Sequence, residues 1–114
     1  MSAQLGAKIA TGLAARTARV EQALRSAGVD PAKLLSVKAL GQASASEATL
    51  EKGHKALISY STLVAWRCGI TGETFTTPRD YYSNTTQRSI DSWCRGVRIL
   101  DESELHKKLA ERYA

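Results

Sequence analysis

The sequence predicts an α+β fold, because helical and strand-like patterns occupy different parts of the chain. Apolar residues recur at helical intervals before residue 28, whereas residues 56–77 are rich in β-branched and aromatic residues. We therefore expect an N-terminal helical hairpin, a small antiparallel β-sheet of about three or four strands, one helix between strands and a C-terminal helix. With 114 residues these elements fit one compact domain, divided into a hairpin over residues 1–41 and a module over residues 42–114.

The helical hairpin is predicted from one long amphipathic segment and a short segment that follows it. The first covers about residues 3–27, and Gly28 is suited to end it. Asp30 and Pro31 carry the N-cap and first-turn preferences of a second helix, which ends at Gly41. Each segment has one apolar face, formed by Leu5, Ile9, Leu13, Val20 and Leu24 in the first and by Leu34, Leu35 and Val37 in the second.

Two interpretations are open for residues 42–52, which are mostly small and polar at their start. Ser44 and Glu47 fit a capping box, so the first interpretation is a third short helix from Ala45 to Lys52. The second is a flexible linker, because small polar residues favour loops.

The sheet is predicted in the second half of the chain. Strand patterns cover residues 56–60 and 63–67, and residues 69–72 form a glycine-bounded loop. Residues 74–77 return as the next strand, which Pro78 ends because proline has no N–H to donate to a ladder.

A helix and a last strand are predicted after this hairpin. Thr85 or Thr86 can cap a helix that reaches Arg95, and residues 97–100 favour a final strand. Asp101 then caps the C-terminal helix, since a glutamate stands three positions later.

One stretch carries a family resemblance. The strand Ser59-Tyr60-Ser61-Thr62-Leu63-Val64-Ala65-Trp66-Arg67 is followed by Tyr82-Ser83-Asn84-Thr85-Thr86 and by a helix that ends at Trp93. This order resembles a small module of uncharacterised bacteriophage proteins, in which an SY-T-VA strand precedes a YS-TT segment. Gln87 and Arg88 stand where that module has serine or arginine and then histidine. The resemblance implies a phage-like origin and assigns no functional residue.

The residues that often carry catalysis or bind metals are few and widely separated. His54, Cys68, Cys94 and His106 lie 14, 26 and 12 positions apart, whereas zinc ligands come in closely spaced pairs. We therefore expect no metal site and no cofactor, and we expect Cys68 and Cys94 to stay reduced. No phosphate-binding glycine loop occurs. A thiol paired with His54 is the remaining catalytic alternative, and the favoured expectation is a protein that is not an enzyme.

Arginine and aromatic residues alternate in the second half of the chain. This composition is typical of binding hot spots and also suits stacking on nucleic-acid bases. In a small domain, however, aromatic residues also form the core with arginines at its rim. We expect an exposed docking surface with these candidate residues: Arg67, Arg79, Tyr81, Tyr82, Arg88 and Arg95.

Charge and hydropathy guide the expected function. The net charge of +5 favours acidic or polyanionic partners, and no apolar run is long enough to span a membrane. The N-terminus shows no secretion signal, so we expect a protein of the bacterial host cytoplasm. The leading hypothesis is a phage protein that binds and blocks a host protein or nucleoprotein complex, as an anti-defence inhibitor such as an anti-CRISPR does. The alternative is an accessory protein that binds nucleic acid, and the first helix is a candidate interface for a homodimer.

Overall fold

The structure, a computed structural model, describes residues 2–41, 44–79, 81–94 and 98–113, with the backbone alone for residues 2–13 and Arg98. The helices are α1 (Ser2–Ser26), α2 (Asn84–Trp93) and α3 (Glu102–Ala110). The strands are β1 (Leu34–Ala39), β2 (Ala45–Leu50), β3 (Lys55–Ser59), β4 (Thr62–Arg67), β5 (Thr74–Thr76) and β6 (Arg98–Ile99). The α+β class is confirmed, as are the N-terminal and C-terminal helices. None of the helices within these residues is long and apolar enough to cross a membrane.

The strands form one sheet whose spatial order follows the sequence. Strands β1 to β5 are antiparallel to their neighbours. Strand β6 pairs in parallel with β5, and the Leu100 N–H extends this pairing by donating to the Thr76 carbonyl at 2.7 Å. The described residues therefore form six strands, more than the three or four that the sequence predicts.

The predicted helical hairpin is wrong, because the segment after α1 forms strand β1. The start of the expected second helix is present: the Asp30 carboxylate accepts a hydrogen bond from the Ala32 N–H at 2.9 Å, and Pro31 follows the cap. This helix ends after one 3₁₀ turn at Lys33. From Leu34 onward the chain pairs with β2, which satisfies the backbone groups that further helical turns would use.

Neither interpretation of residues 42–52 is correct for the part that the structure describes, since Ala45–Leu50 is strand β2. This strand pairs with β1 on one side and with β3 on the other. Two rows of backbone hydrogen bonds outweigh the weak strand propensity of its alanines. Ala48 and Leu50 are buried in the core, whereas the residues of a flexible linker would be exposed. Of the predicted helix, only Glu51–Gly53 forms a helical turn.

The predicted strands and the C-terminal helix agree well with the structure. β3 and β4 pair as an antiparallel hairpin, and β5 ends before Pro78. α3 follows Asp101, whose carboxylate accepts a hydrogen bond from the Glu104 N–H at 2.9 Å.

Helix α2 begins slightly earlier than predicted. Its N-cap is Ser83 in place of Thr85 or Thr86, because the Ser83 hydroxyl accepts the hydrogen bond of the Thr86 N–H. The helix also ends earlier than the predicted Arg95, because it ends at Trp93 and Cys94 is extended. The predicted strand start at Val97 lies outside the described residues.

A β-bulge in β4 decides which of its side chains face each of the two cores. The pairing with β3 passes over Val64, which lies opposite no residue. As a consequence, Val64 and Ala65 both pack on the side of α2, whereas Leu63 and Trp66 both pack on the side of α1 and α3.

The larger core lies between the sheet and the helices α1 and α3. Trp66 is fully buried in it, and its indole N–H donates to the Leu105 carbonyl at 3.1 Å. The Trp66 ring also lies 4.7 Å from the ring of Phe75. Residues of both helices complete this core, namely Val20, Ala23, Leu24, Leu105 and Leu109. The smaller core lies under α2 and contains Leu57, Val64, Ala65, Ile90 and Cys94.

Two turns contact each other at one end of the sheet. The turn after β2 has positive φ angles at Lys52 (68°) and Gly53 (77°), and Gly69 of the turn after β4 lies against it. A Cβ atom at position 69 would lie 2.4 Å from the carbonyl carbon of Gly53. This close approach of two backbones requires glycine at position 69.

We expect Leu24→Ala to lower the free energy of unfolding by about 2–5 kcal/mol, because Leu24 is fully buried and its truncation leaves a cavity. Urea denaturation followed by circular dichroism measures the change. The control is Leu35→Ala, since Leu35 is 63% exposed and its truncation should change the free energy by less than about 0.5 kcal/mol. Equal stability of the two variants would contradict the packing of α1 on the sheet.

Candidate docking surface

The segment that connects β5 to α2 carries three predicted site residues, namely Arg79, Tyr81 and Tyr82. Pro78 opens this segment, and its carbonyl accepts a hydrogen bond from the Tyr81 N–H at 3.3 Å. The N-cap of α2 closes it. These hydrogen bonds hold described residues on both sides of residue 80.

Arg79 is exposed but held in one orientation. Its guanidinium donates two hydrogen bonds to the Asp91 carboxylate of α2, at 2.9 and 3.0 Å. The Gln87 side-chain amide donates a third hydrogen bond to the same carboxylate at 2.9 Å. The hydrogen bonds from Gln87 and from Arg79 together lower the pKa of Asp91 below its usual value. The Arg79 side chain remains 68% exposed, so it can contact a partner without losing this pairing.

Tyr81 and Tyr82 differ in exposure although they are adjacent. Tyr82 is half-buried, and its hydroxyl donates to the Glu102 carboxylate of α3 at 2.7 Å. Burial and this carboxylate both raise the pKa of Tyr82, which stays protonated at neutral pH. Tyr81 is 52% exposed, and its ring contacts the Tyr82 ring edge to face, with the centroids 4.9 Å apart. The half-buried Tyr82 ring therefore packs against the exposed Tyr81 ring.

Arg88 lies on the exposed side of α2. It is three residues before Asp91 on the same helix, which places it on the neighbouring turn beside the Arg79 ion pair. Arg79 and Arg88 therefore lie on the outer side of α2, whereas Tyr81 lies beside the end of α1 and the first turns of α3.

Arg67 packs against the end of α2, apart from Arg79 and Tyr81. It is half-buried, with its guanidinium 4.8 Å from the centroid of the Trp93 ring. It also donates hydrogen bonds to the Thr74 hydroxyl and to the Trp93 carbonyl, both at 3.1 Å. These contacts tie the end of α2 to the sheet and separate Arg67 from the other candidates. The remaining candidate, Arg95, lies outside the described residues.

Three glutamate and aspartate residues fix the site, and the sequence analysis did not find them. Asp91 and Glu102 hold Arg79 and Tyr82, and Glu47 accepts a hydrogen bond from the Trp93 indole N–H at 2.9 Å. The partners in these pairs are 12, 20 and 46 positions apart in sequence. No local pattern signals such pairs, because only the folded chain brings them together.

A groove lies next to Tyr81, with a volume of about 530 Å³. It runs between the end of α1 and the first turns of α3 and has both charge signs in its walls. Its lining residues include Tyr81, Gly28, Glu102, Ser103, His106 and Lys107.

The two thiols lie in different cores and do not form a disulfide. Burial raises the pKa of Cys94 to about 12, so this thiol stays protonated. Burial also opposes ionisation of Cys68, but hydrogen bonds from the Thr71 hydroxyl and from the backbone of Thr71 and Ile70 outweigh it and lower the pKa of Cys68.

His54 is fully buried and has a structural contact at each side of its ring. Its Nδ1 accepts a hydrogen bond from the Gly69 N–H at 2.9 Å, which places the ring proton on Nε2. The ring meets those of Trp66 and Tyr113 edge-on, with centroids 5.8 and 5.7 Å away. Burial, followed by the positive charges of Arg112 and Lys52, lowers the pKa of His54.

His106 is also hydrogen-bonded, because its Nε2 donates to the Leu63 carbonyl at 2.8 Å. Within the described part of the chain, no group of three or more histidine, cysteine, aspartate or glutamate residues is arranged to hold a metal ion.

The comparisons with known proteins yield one match. A model for a family described as "Family of unknown function (DUF8033)" matches residues 34–109, which extend from the start of β1 almost to the end of α3. No curated protein and no solved structure matches the chain.

We expect the free energy of unfolding to decrease as the pH falls below 6.5, the ordinary pKa of histidine. The pKa of His54 is lower in the folded state, so the unfolded chain binds more protons between the two pKa values and acid favours unfolding there. The contribution of His54 is complete above pH 6.5 and is lost as the pH falls through the folded-state pKa. Urea titrations at about pH 5 and about pH 7.5 measure the effect.

The variant His54→Gln separates this effect from other titrations. Glutamine keeps an oxygen that can accept the Gly69 N–H but does not ionise, so the pH dependence in this range should become weaker. The control His106→Gln should leave the contribution of His54 in place. The pKa values of Asp91 and Asp101 are lowered from 3.8, so the protonation of these carboxylates changes the free energy of unfolding only at lower pH. An unchanged pH dependence in His54→Gln would disprove the role given to His54.

Proposed function

We propose that this chain, which belongs to the DUF8033 family of unknown function, acts by docking on a macromolecule and blocking it. The favoured target is a host protein or nucleoprotein complex, in keeping with the resemblance of part of the chain to bacteriophage proteins. In this proposal the protein is not an enzyme. The docking face consists of Arg79, Tyr81 and Arg88, with Tyr82 as the support of Tyr81.

The observation that carries the proposal is that two hot-spot residue types are exposed while each contacts a neighbouring side chain. Arg79 donates two hydrogen bonds to Asp91, and the Tyr81 ring packs edge to face on Tyr82. Arginine and tyrosine dominate binding energy at interfaces. Side chains that are already ordered lose less conformational entropy on binding, so their contacts yield more affinity.

The arrangement of the reactive groups favours binding over thiol catalysis. Cys94 lies in the core under α2, on the other side of the sheet from the core to which Cys68 belongs. Its raised pKa keeps it protonated, whereas a catalytic cysteine needs a thiolate. The pKa of Cys68 is lowered, but this thiol is hydrogen-bonded to Thr71 and Ile70. Within the described residues neither ring nitrogen of the buried His54 is hydrogen-bonded to a thiol, since Nδ1 accepts from the Gly69 N–H and Nε2 has no partner.

The mechanism that fits this face is steric occlusion. Tyr81 would supply buried area, and Arg79 and Arg88 would donate charge-assisted hydrogen bonds to acidic groups or backbone carbonyls of the target. The net charge of +5 would speed the approach to an acidic partner. The alternative of nucleic-acid binding relies on the same charge, and the two differ in their dependence on salt and nuclease.

We expect the triple variant Arg79→Ala, Tyr81→Ala, Arg88→Ala to weaken partner binding about a hundredfold or more while thermal unfolding stays nearly unchanged. Tyr82 is left intact, because its hydrogen bond to Glu102 also stabilises the fold. The measurement is affinity capture from a bacterial lysate, with and without nuclease, followed by titration of the captured partner.

The control is the double variant Lys33→Ala, Ile70→Ala. It removes one exposed ion pair, to Glu51, and one apolar side chain that is 70% exposed. Both positions lie at the opposite end of the sheet from Tyr81, so binding should be retained. A triple variant that still captures the partner would refute the docking face, and capture that depends on nuclease-sensitive material would favour the nucleic-acid alternative.

A further inference from the structure

A small cavity opens beside the Arg79–Asp91 ion pair. It lies between the end of β5, the inner side of α2 and strand β6, and its volume is about 170 Å³. The described residues in its walls include Thr76, Thr77, Ile90, Cys94 and Ile99, with the ion pair at its mouth. Ile99 is 58% exposed, so an apolar side chain stands at the rim as well as inside.

The size of the cavity matches one side chain. An engineered protein cavity of about 150 Å³ binds one benzene molecule. A cavity of 170 Å³ therefore has room for a phenyl ring or a branched aliphatic group. Cofactors and drug-sized ligands need cavities of about 300 Å³ or more.

The charges around the cavity favour a neutral occupant. The Arg79 guanidinium is neutralised by the Asp91 carboxylate through two hydrogen bonds, and Gln87 also donates to that carboxylate. Cys94 in the wall is a protonated thiol, because burial raises its pKa. A phosphate group in this cavity would lie beside the Asp91 carboxylate, which disfavours it.

We infer that this cavity is a socket for one apolar side chain, aromatic or branched aliphatic, of the protein on which the docking face binds. The inference rests on the proposed function and makes it more specific. An apolar socket with an ion pair at its mouth has the anatomy of an interface hot spot, in which a polar rim keeps water from a buried anchor. Arg79 lines the socket and also belongs to the proposed docking face, so the two are adjacent.

Toluene is the probe for the socket alone, since it is the side chain of phenylalanine without its backbone. We expect millimolar toluene to shift the methyl signals of Ile90 and Ile99 and the amide signal of Cys94 in NMR spectra, with saturation. The variant Cys94→Met should weaken this binding about tenfold, because the longer side chain fills the cavity. Cys68→Met is the matched control, because it makes the same substitution at a thiol in the other core and should leave toluene binding unchanged.

Two outcomes of the titration would overturn the inference. The first is the absence of saturable shifts with toluene, and the second is a stronger response of the same signals to inorganic phosphate. If Cys94→Met does not fold, Ile99→Ala takes its place, since the exposed rim can be truncated without disturbing the core.

Capture of the partner then tests the link to the docking face. The variant that loses toluene binding should also lose about tenfold or more in affinity for the partner. A variant that loses toluene binding but keeps the partner would show that the cavity is no part of the interface. A parent chain that captures no partner would instead contradict the proposed function, while the toluene titration would still decide the cavity.

Discussion

The bulge at Val64 is the constraint that decides which side chains of β4 enter each core. Without the extra residue, side chains along β4 would alternate, and Val64 and Ala65 would face opposite sides of the sheet. The bulge turns both toward α2, and it leaves Leu63 and Trp66 to the larger core. β4 itself is buried on both faces. It anchors α3 on one side, through the Trp66 hydrogen bond to Leu105, and supports α2 on the other.

The position of α2 decides where Arg79 and Arg88 of the proposed docking face lie. Its end is held by Trp93, which donates to Glu47 of β2 and carries the Arg67 guanidinium on its ring. Its beginning is held by the hydrogen bond between the hydroxyls of Thr86 and Ser59, 2.8 Å apart. With both ends attached to the sheet, α2 presents Asp91 at a fixed place. The orientation of Arg79 is thus determined by contacts on the far side of the helix.

The elements with strong local signals are the ones that the sequence predicts correctly. The cap at Asp101, the β-branched run of β3 and β4 and Pro78 after β5 each reflect chemistry within a few residues. The predictions for the segments that form β1 and β2 are wrong because their structure depends on strands that are distant in sequence. The Asp30 cap is real but serves a single turn, and the apparent capping box at Ser44 precedes a strand whose identity comes from its two neighbours. Propensity cannot show a partner strand that is distant in sequence.

The same limit applies to the docking face. Composition identified arginines and tyrosines between β4 and α2, and the structure places Arg79, Tyr81 and Arg88 at exposed positions. Composition alone could not distinguish Arg67, whose guanidinium lies on Trp93, from Arg79, whose side chain is exposed to solvent. The difference arises from tertiary contacts with the acidic residues and the indole ring, and these contacts leave no trace in local sequence.

The contact between the turns at Gly53 and Gly69 couples two loops that are separate in sequence. Their backbones touch directly, and the Gly69 N–H is also bound by His54, 15 positions away. At the other end of the sheet, the Tyr60 N–H of the turn after β3 donates to the Ser44 carbonyl at 2.8 Å. A residue inserted into the turn at Gly53 or into the turn at Gly69 would separate the two backbones and break the hydrogen bond to His54. The two loops must therefore keep their lengths together, and a change in one requires a matching change in the other.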